Sequence, residues 1–186
     1  MNRLTFIIGN ANIGYKGIPS GYAGSDNQFD YIPSNMNIAL VTAPMNVVLM
    51  PYAEVEMIKA ELEFRNNNTA AAKAAYEKGV KASIEQMGAV MPTDYFTNAK
   101  AAYNGTLERI MLQKYFALFF TDFQSWFEYR RTGYPVLTPT QDPNRFEANE
   151  IPRRLRYWEA EIGGNPANYE AARVRMGGDN LMTKMW

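Results

Sequence analysis

Four glutamates lie close together between residues 54 and 63, and paired carboxylates are the groups that acid–base hydrolysis of a glycosidic bond requires. They are Glu54, Glu56, Glu61 and Glu63. Their spacing within a helical pattern is also that of an ordinary charged helix face. We therefore interpret them as a solvated face with a few ion pairs, and a carboxylate hydrolase is retained only as a third alternative.

Other catalytic groups are scarce in the 186-residue chain. It contains neither cysteine nor histidine, which excludes serine–histidine triads, thiolate nucleophiles and the usual zinc sites. The stretch SDNQFD at 25–30 loosely follows a calcium loop but lacks the closing Glu, so it is interpreted as a turn. We predict a protein that is not an enzyme and has no catalytic residues, no metal site and no cofactor.

Aromatic residues beside arginines form the other constellation of interest, because both groups stack on sugars or bases. Such clusters occur at 129–131 (YRR) and at 153–158 (RRLRYW). The chain carries 19 basic and 19 acidic residues, so no overall field attracts a polyanion, and no nucleic acid partner is expected. We interpret these arginines as paired locally with Glu128, Glu150, Glu159 or Glu161, and ligand stacking is the alternative.

The stretch SWFEYRRTGYPVL at 125–137 also carries the signals of a helix end. Gly133 suits the left-handed position after the last turn, and Pro135 prevents continuation of the helix. Arg130 and Arg131 lie where cations favour the carbonyl end of the helix dipole. This interpretation predicts that Trp126 and Tyr129 are largely buried.

Three regions of different composition position these residues. Residues 1–50 are poor in charge and rich in Gly, Asn and Pro, which predicts a loop-rich flap. Residues 51–134 have helical periodicity and predict a helical scaffold, whereas 135–186 predict an irregular C-terminal tail. We interpret 1–186 as a single partial domain with a mainly α fold of helical hairpins and long irregular loops.

A helical hairpin is predicted between Pro51 and residue 87. The apolar residues of its first helix that recur at helical spacing are Val55, Ile58 and Leu62, beside Met57 and Phe64. Thr69 is the predicted N-cap of the second helix, whose apolar stripe is Ala72, Tyr76, Val80, Ile84 and Met87. A plain antiparallel hairpin and a tetratricopeptide-like unit fit this pattern equally well.

A central buried helix is predicted from Thr106, because LERIMLQKYFALFF is apolar almost all round. Thr121 and Asp122 are predicted to cap a shorter helix, DFQSWFEYRR. Further short helices are expected around 98–103 and 166–176.

Five stretches of the chain, in order, resemble the carboxy-terminal part of the SusD/RagB-like nutrient-binding lipoproteins of Bacteroidetes outer membranes. They are VLMPYAEVEMIKAELEFR, AAYEKGVKASIEQMG, RIMLQKYFALFFTDFQSWFEYRRTGYPVL, EIPRRLRYWEAE and GGDNLMTKMW. The resemblance implies tetratricopeptide-like helical hairpins that support an irregular ligand-binding face. It also implies a protein that captures a nutrient and performs no bond chemistry.

The same resemblance implies a partner and a location. Such proteins cover a TonB-dependent transporter of the SusC type at the surface of the outer membrane, and the expected ligand here is a glycan. They are anchored through an acylated Cys, which this chain lacks, so we interpret it as a soluble fragment whose membrane attachment lies elsewhere. The residues expected to stack on sugar rings are Tyr15, Tyr22, Tyr31 and Trp158. The alternative is a helical interaction scaffold that docks on the transporter without direct ligand contact.

Overall fold

The computed structural model describes residues 6–8, 11–14, 34, 43–44, 47–137 and 151–184. The chain divides into two compact units, one formed by 1–18 with 27–136 and the other by 19–26 with 137–186. The described elements are mainly helical, which confirms the predicted fold class. The boundaries predicted for a flap, a scaffold and a tail within a single domain stay predictions.

A short β-hairpin that the sequence analysis did not predict lies within residues 1–50. Strand β1, Phe6–Ile8, pairs antiparallel with β2, Ala11–Gly14. Ile8 lies opposite Ala11 and Phe6 opposite Gly14, and the register shifts between Phe6 and Ile7. The connecting pair in the sequence is Gly-Asn, a composition typical of two-residue hairpin turns.

An antiparallel helical hairpin follows, as predicted. Helix α1, Tyr52–Arg65, begins after Pro51, which is its N-cap residue and lies outside the first turn. Helix α2 is Thr69–Gln86. Its N-cap is Asn68 and not Thr69, because the Asn68 side-chain oxygen accepts a hydrogen bond of 3.4 Å from the Ala71 amide.

Small residues let α1 and α2 approach closely. A Cβ atom added to Gly79 of α2 would lie 2.9 Å from Met57 Cε and 3.2 Å from the Ala53 carbonyl oxygen of α1. The predicted stripe on α2 is confirmed at its centre, since Ala72, Tyr76 and Val80 are buried. These contacts form the main hydrophobic cluster, to which α3 (Leu107–Ala117) contributes Ile110 and Met111.

The orientation predicted for α1 is wrong. Ile58 and Leu62, expected on its buried face, are 42% and 55% exposed, whereas Glu54, Glu56 and Glu61 are buried. The interpretation of the glutamates as a solvated face is corrected accordingly. The physical reason is that Arg131, from a distant part of the chain, neutralises Glu61, while Lys59, three positions away, pairs with Glu56.

Buried charges join α1 to α3 and to α4, Gln124–Thr132. Arg131 of α4 donates hydrogen bonds of 2.7 and 2.6 Å to the two carboxylate oxygens of Glu61, which also accepts from Arg65 at 2.7 Å. Lys114 of α3 is only 2% exposed and lies 3.0 Å from Glu128 of α4. Glu128 also pairs with Arg131, so the charges form one connected network.

The pKa values of two carboxylates of α1 shift in opposite directions. Burial acts to raise the pKa of Glu61, but the hydrogen bonds from Arg131 and Arg65 outweigh it and lower that pKa below its usual value. Burial raises the pKa of Glu54, with nearby Lys114 acting in the opposite direction. Glu61 is therefore a stabilising ion-pair partner, whereas the charge on Glu54 is costly.

The sequence predicted some of the residues that end α3 and α4, but not all of them. Thr106 caps α3 by accepting a 3.2 Å hydrogen bond from the Arg109 amide. Gly133 ends α4 in the left-handed conformation with φ 77°, as its place in the sequence predicts. The predicted caps of α4 are wrong: its N-cap is Phe123, and the Thr121 hydroxyl donates to the Leu118 carbonyl of the preceding turn.

In the part of the second unit that the structure describes lie two short helices, α5 (Glu159–Gly164) and α6 (Pro166–Met176). The second of these confirms the helix predicted at 166–176. A buried ion pair of 2.9 Å joins Arg154 to Asp179, which lies beyond α6, and the Arg153 amide donates to the Leu181 carbonyl at 2.7 Å. Arg154 therefore pairs with an aspartate, and not with the glutamates considered in the sequence analysis.

Replacing Glu61 with Gln should lower the free energy of unfolding by about 1–3 kcal/mol at neutral pH, because Arg131 loses one of its two charged partners and Arg65 loses its own. Since the pKa of Glu61 is lowered by folding, the wild-type advantage is complete above the usual value of 4.5 and disappears as the pH falls through the lower folded value. Urea denaturation at pH 7 and at pH 3 measures the difference in the free energy of unfolding between the wild-type protein and the variant. Glu63→Gln, two positions away and only partly buried, is the control and should change little at either pH.

Candidate functional site

One face of α3 is turned toward the segment at 92–101. Arg109, Gln113 and Phe116 follow one another at spacings of four and three residues, so they share that face. The Arg109 guanidinium donates a 3.2 Å hydrogen bond to the Ala99 carbonyl, and Gln113 and Phe116 line a cavity with the same segment. The opposite side of α3 carries Lys114 into the buried charge network.

The 92–105 segment is irregular but fixed to the helices. It contains a 3-10 turn, Tyr95–Thr97, and only turns at 98–103, where the sequence predicted a helix. The Tyr76 hydroxyl of α2 donates a buried hydrogen bond of 2.6 Å to the Ala101 carbonyl. Burial raises the pKa of Tyr76 to about 12, so this hydroxyl stays protonated at physiological pH.

A polar cavity of about 460 Å³ lies between this segment and α3. Its volume falls within the roughly 300–1,000 Å³ that small-ligand pockets occupy. The residues that give it its chemistry are Asp94, Tyr95, Asn98, Lys100, Gln113 and Phe116. The cavity therefore combines a carboxylate, an ammonium group, two amides and two aromatic rings, which can exchange hydrogen bonds with a polar ligand and pack against its apolar face.

An aromatic groove of about 310 Å³ lies at the carboxyl end of α3 and shares Phe116 with the polar cavity. Its walls are formed mainly by Tyr115, Phe116, Phe119 and Phe120, with Asp122 and Ser125 as its polar residues. Phe119 is 51% exposed, and the centroids of the Phe119 and Phe120 rings lie 4.4 Å apart. The groove therefore offers adjacent ring surfaces to solvent.

The backbone beside the groove has unusual conformations. Phe120 and Asp122 have φ values of 68° and 55°, in the left-handed region that a bulky residue such as Phe rarely adopts. Strained positions of this kind persist where the surrounding structure imposes them, and they concentrate at functional sites. Phe120 and Asp122 both line the groove.

A comparison with protein families identifies the chain. Residues 3–158 match a SusD-like family that is described as "Starch-binding associating with outer membrane". The chain belongs to the SusD-like family. This confirms the resemblance that the five sequence stretches indicated.

Two solved structures are similar to the SusD-like chain. A SusD-like protein of Bacteroidetes has 27% sequence identity and a TM-score of 0.66, with 75% of this chain and 30% of that one covered. A chitin-binding protein has 33% identity and a TM-score of 0.60, with 73% and 32% covered. The SusD-like chain thus spans about a third of the length of these relatives. No curated protein sequence matches it.

The residues predicted to stack on sugars are described only in part. Tyr15, Tyr22 and Tyr31 lie outside the described residues. Trp158 is 80% exposed at the start of α5 in the second unit, so its ring is free to meet a ligand there. Trp126 is half-buried under the guanidinium of Arg130, whose central carbon lies 4.6 Å from the ring centroid, and Tyr129 is half-buried too.

The sequence analysis missed both the groove and the cavity. Its prediction of a wholly buried helix through LERIMLQKYFALFF is wrong, because α3 ends at Ala117 and Tyr115, Phe116, Phe119 and Phe120 are exposed. A usable signal was present, since four aromatic residues within six positions exceed what one helix face can bury. A second signal was the pair of polar residues Gln113 and Lys114 inside the apolar run, which mark two different faces of the helix.

No metal site or membrane span emerges from the described ranges. They contain no group of three acidic side chains arranged to hold a metal ion. Among their helices, none combines the length and the hydropathy that crossing a bilayer requires.

Replacing Tyr76 with Phe should lower the free energy of unfolding by about 1–2 kcal/mol, because the buried Ala101 carbonyl loses its donor. Tyr103→Phe is the matched control: its ring lies 5.4 Å from that of Tyr76, and its hydroxyl makes no hydrogen bond within the described part of the chain. Denaturant titration followed by circular dichroism compares the two variants. An equal effect of both would contradict the anchoring role of the Tyr76 hydroxyl.

Proposed function

We propose that the SusD-like chain is a glycan-binding, non-catalytic component of an outer-membrane nutrient import complex. The observation that carries the proposal is the match of residues 3–158 to a family described as starch-binding and associated with the outer membrane. A similar solved structure is that of a chitin-binding protein, which supports an oligosaccharide or polysaccharide as the ligand. No cofactor, metal or nucleic acid has a part in this function.

The aromatic groove supports the proposal chemically. Sugar rings present apolar C–H faces that pack on aromatic rings, and their hydroxyls need hydrogen-bond partners around the edge. Phe119 and Phe120 supply the ring surfaces, and Asp122 and Ser125 supply the polar edge. Trp158 is proposed as a further stacking residue of the second unit, and Tyr15, Tyr22 and Tyr31 remain stacking candidates from the sequence.

The proposed partner and the proposed location follow from a role in an import complex. A TonB-dependent transporter of the SusC type would receive the glycan, at the cell-exposed surface of the outer membrane. The role of this chain is then to bind and present a ligand, for which a binding surface suffices.

A second candidate function is favoured by the exposed apolar residues of α1. Ile58 and Leu62 lie one turn apart on α1, and both line a depression together with Arg65 and Arg131. Exposed aliphatic residues with arginines beside them are typical of protein–protein interfaces. This surface suits a scaffold that docks on the transporter without touching the ligand.

Replacing Phe119 with Ala should raise the Kd for maltohexaose or chitohexaose about tenfold, because the groove loses ring stacking and buried apolar area. Phe127→Ala is the matched control, since Phe127 is exposed to a similar degree but does not line the groove. Isothermal titration calorimetry measures both. Absence of binding to either oligosaccharide by the wild-type protein would refute the proposed function.

The double change Ile58→Ser with Leu62→Ser should leave oligosaccharide affinity unchanged and weaken association with the transporter. The reason is that these side chains lie on α1, away from the residues that line the groove. Co-purification from detergent-solubilised outer membranes measures association, with Val90→Ser, another exposed apolar residue, as the control. Transporter recovery at the wild-type level would exclude the α1 surface as the docking site.

A further inference from the structure

We propose that the polar cavity between the 92–101 segment and α3 is a hydrogen-bonding subsite for one neutral sugar unit, with Gln113 as its specificity-determining residue. This inference rests on the proposed glycan-binding function and assigns it a second contact surface. The subsite is distinct from the stacking surface of the groove. The two share a wall at Phe116.

Gln113 is the observation that points to a ligand. Its side chain is 92% buried, because only 8% of its surface is exposed, and it lines the cavity. Within the described part of the chain its amide makes no hydrogen bond. Its polar atoms are not among the sealed, unpaired side-chain atoms of the described residues, so they remain open to the cavity that Gln113 lines. A ligand that enters the cavity can therefore complete the hydrogen bonds of this amide.

The charges around the cavity indicate a neutral ligand. Asp94 and Lys100 both line it, and in the described ranges neither side chain forms an ion pair or a side-chain hydrogen bond. The carboxylate can accept from hydroxyls and the ammonium can donate to them. An acidic sugar would be attracted by Lys100 but repelled by Asp94, and a basic sugar the reverse, so the two residues together give no net attraction for a charged unit, and one bearing only hydroxyl or N-acetyl groups fits best.

The other lining residues complete a site for a ring. The Asn98 side-chain oxygen accepts a 2.9 Å hydrogen bond from the Lys100 amide, which leaves the Asn98 amide group as a donor. Tyr95 and Phe116 supply aromatic surface for the apolar face of the sugar.

The cavity wall is fixed before any ligand arrives. Tyr76 and Arg109 donate side-chain hydrogen bonds to the Ala101 and Ala99 carbonyls, on the segment that carries Asp94, Asn98 and Lys100. A preformed wall reduces the ordering that binding requires. The subsite can therefore discriminate between sugar units by the positions of their hydroxyls.

The test replaces Gln113 with Leu and measures both stability and binding. Gln113→Leu should raise the Kd for maltohexaose or chitohexaose about tenfold, because the ligand loses its amide partners. The thermal unfolding temperature should change little, because no hydrogen bond within the described part of the chain is lost. Gln86→Leu, an exposed residue at the end of α2, is the matched control and should bind like the wild-type protein.

A site-specific readout accompanies the calorimetry. In ¹⁵N-labelled protein, the Gln113 side-chain amide signals, assigned by their loss in Gln113→Leu, should shift on addition of the oligosaccharide, whereas those of Gln86 should not. Hexagalacturonate, an acidic probe, should bind more weakly than the neutral oligosaccharides.

The outcomes separate the two proposals. If Phe119→Ala weakens binding while Gln113→Leu binds normally and the Gln113 signals do not move, the subsite is disproved and the glycan-binding function stands. If the wild-type protein binds neither neutral oligosaccharide, both fall together. Tighter binding of hexagalacturonate would overturn the assignment of a neutral ligand.

Discussion

The buried charges between α1, α3 and α4 are the constraint on which the arrangement of the first unit depends. Glu61 and Lys114 cannot be buried as charges without partners, and the side chains of Arg131 and Glu128 provide them. The Arg131–Glu61 pair links α4 to α1 through long side chains, although seventy residues separate the two, while α4 itself packs against α3. The hydrophobic contacts between α1 and α2 give stability, whereas the charge pairs decide which helix faces meet.

The same constraint determines which side of α3 is available for function. Because Lys114 must point toward Glu128, the neighbouring Gln113 and Phe116 point away from the charge network, toward the 92–101 segment. The aromatic residues that follow cannot all be buried once α3 ends at Ala117. The cavity and the groove thus lie where they do because the charged face of α3 is turned toward its ion-pair partner.

The helical hairpin could be predicted from sequence because its signals are local. The alanine stripe of α2, the turn at 66–68 and the Gly133 helix end each depend on residues a few positions apart. The orientation of α1 could not be predicted this way, since a buried Glu61 resembles a solvated one until Arg131 is placed beside it. The candidate site was missed for the same reason. Gln113 becomes part of a cavity only when the segment at 92–101 lies beside it, and the irregular backbone of that segment gives no periodic signal in the sequence. The resemblance to SusD-like proteins identified the family but placed no ligand residue within the described part of α3.

Phe116 lines both the groove and the cavity, and this shared position has a consequence that neither depression has alone. If the proposed groove and subsite hold one polymer chain that crosses this ring, the second contact would be intramolecular and would form at a high effective concentration. Release would then require both contacts to open together, which would slow dissociation without any single strong interaction. A ligand long enough to cross Phe116 would be favoured over a short fragment of identical chemistry, so the protein would select its ligand by chain length.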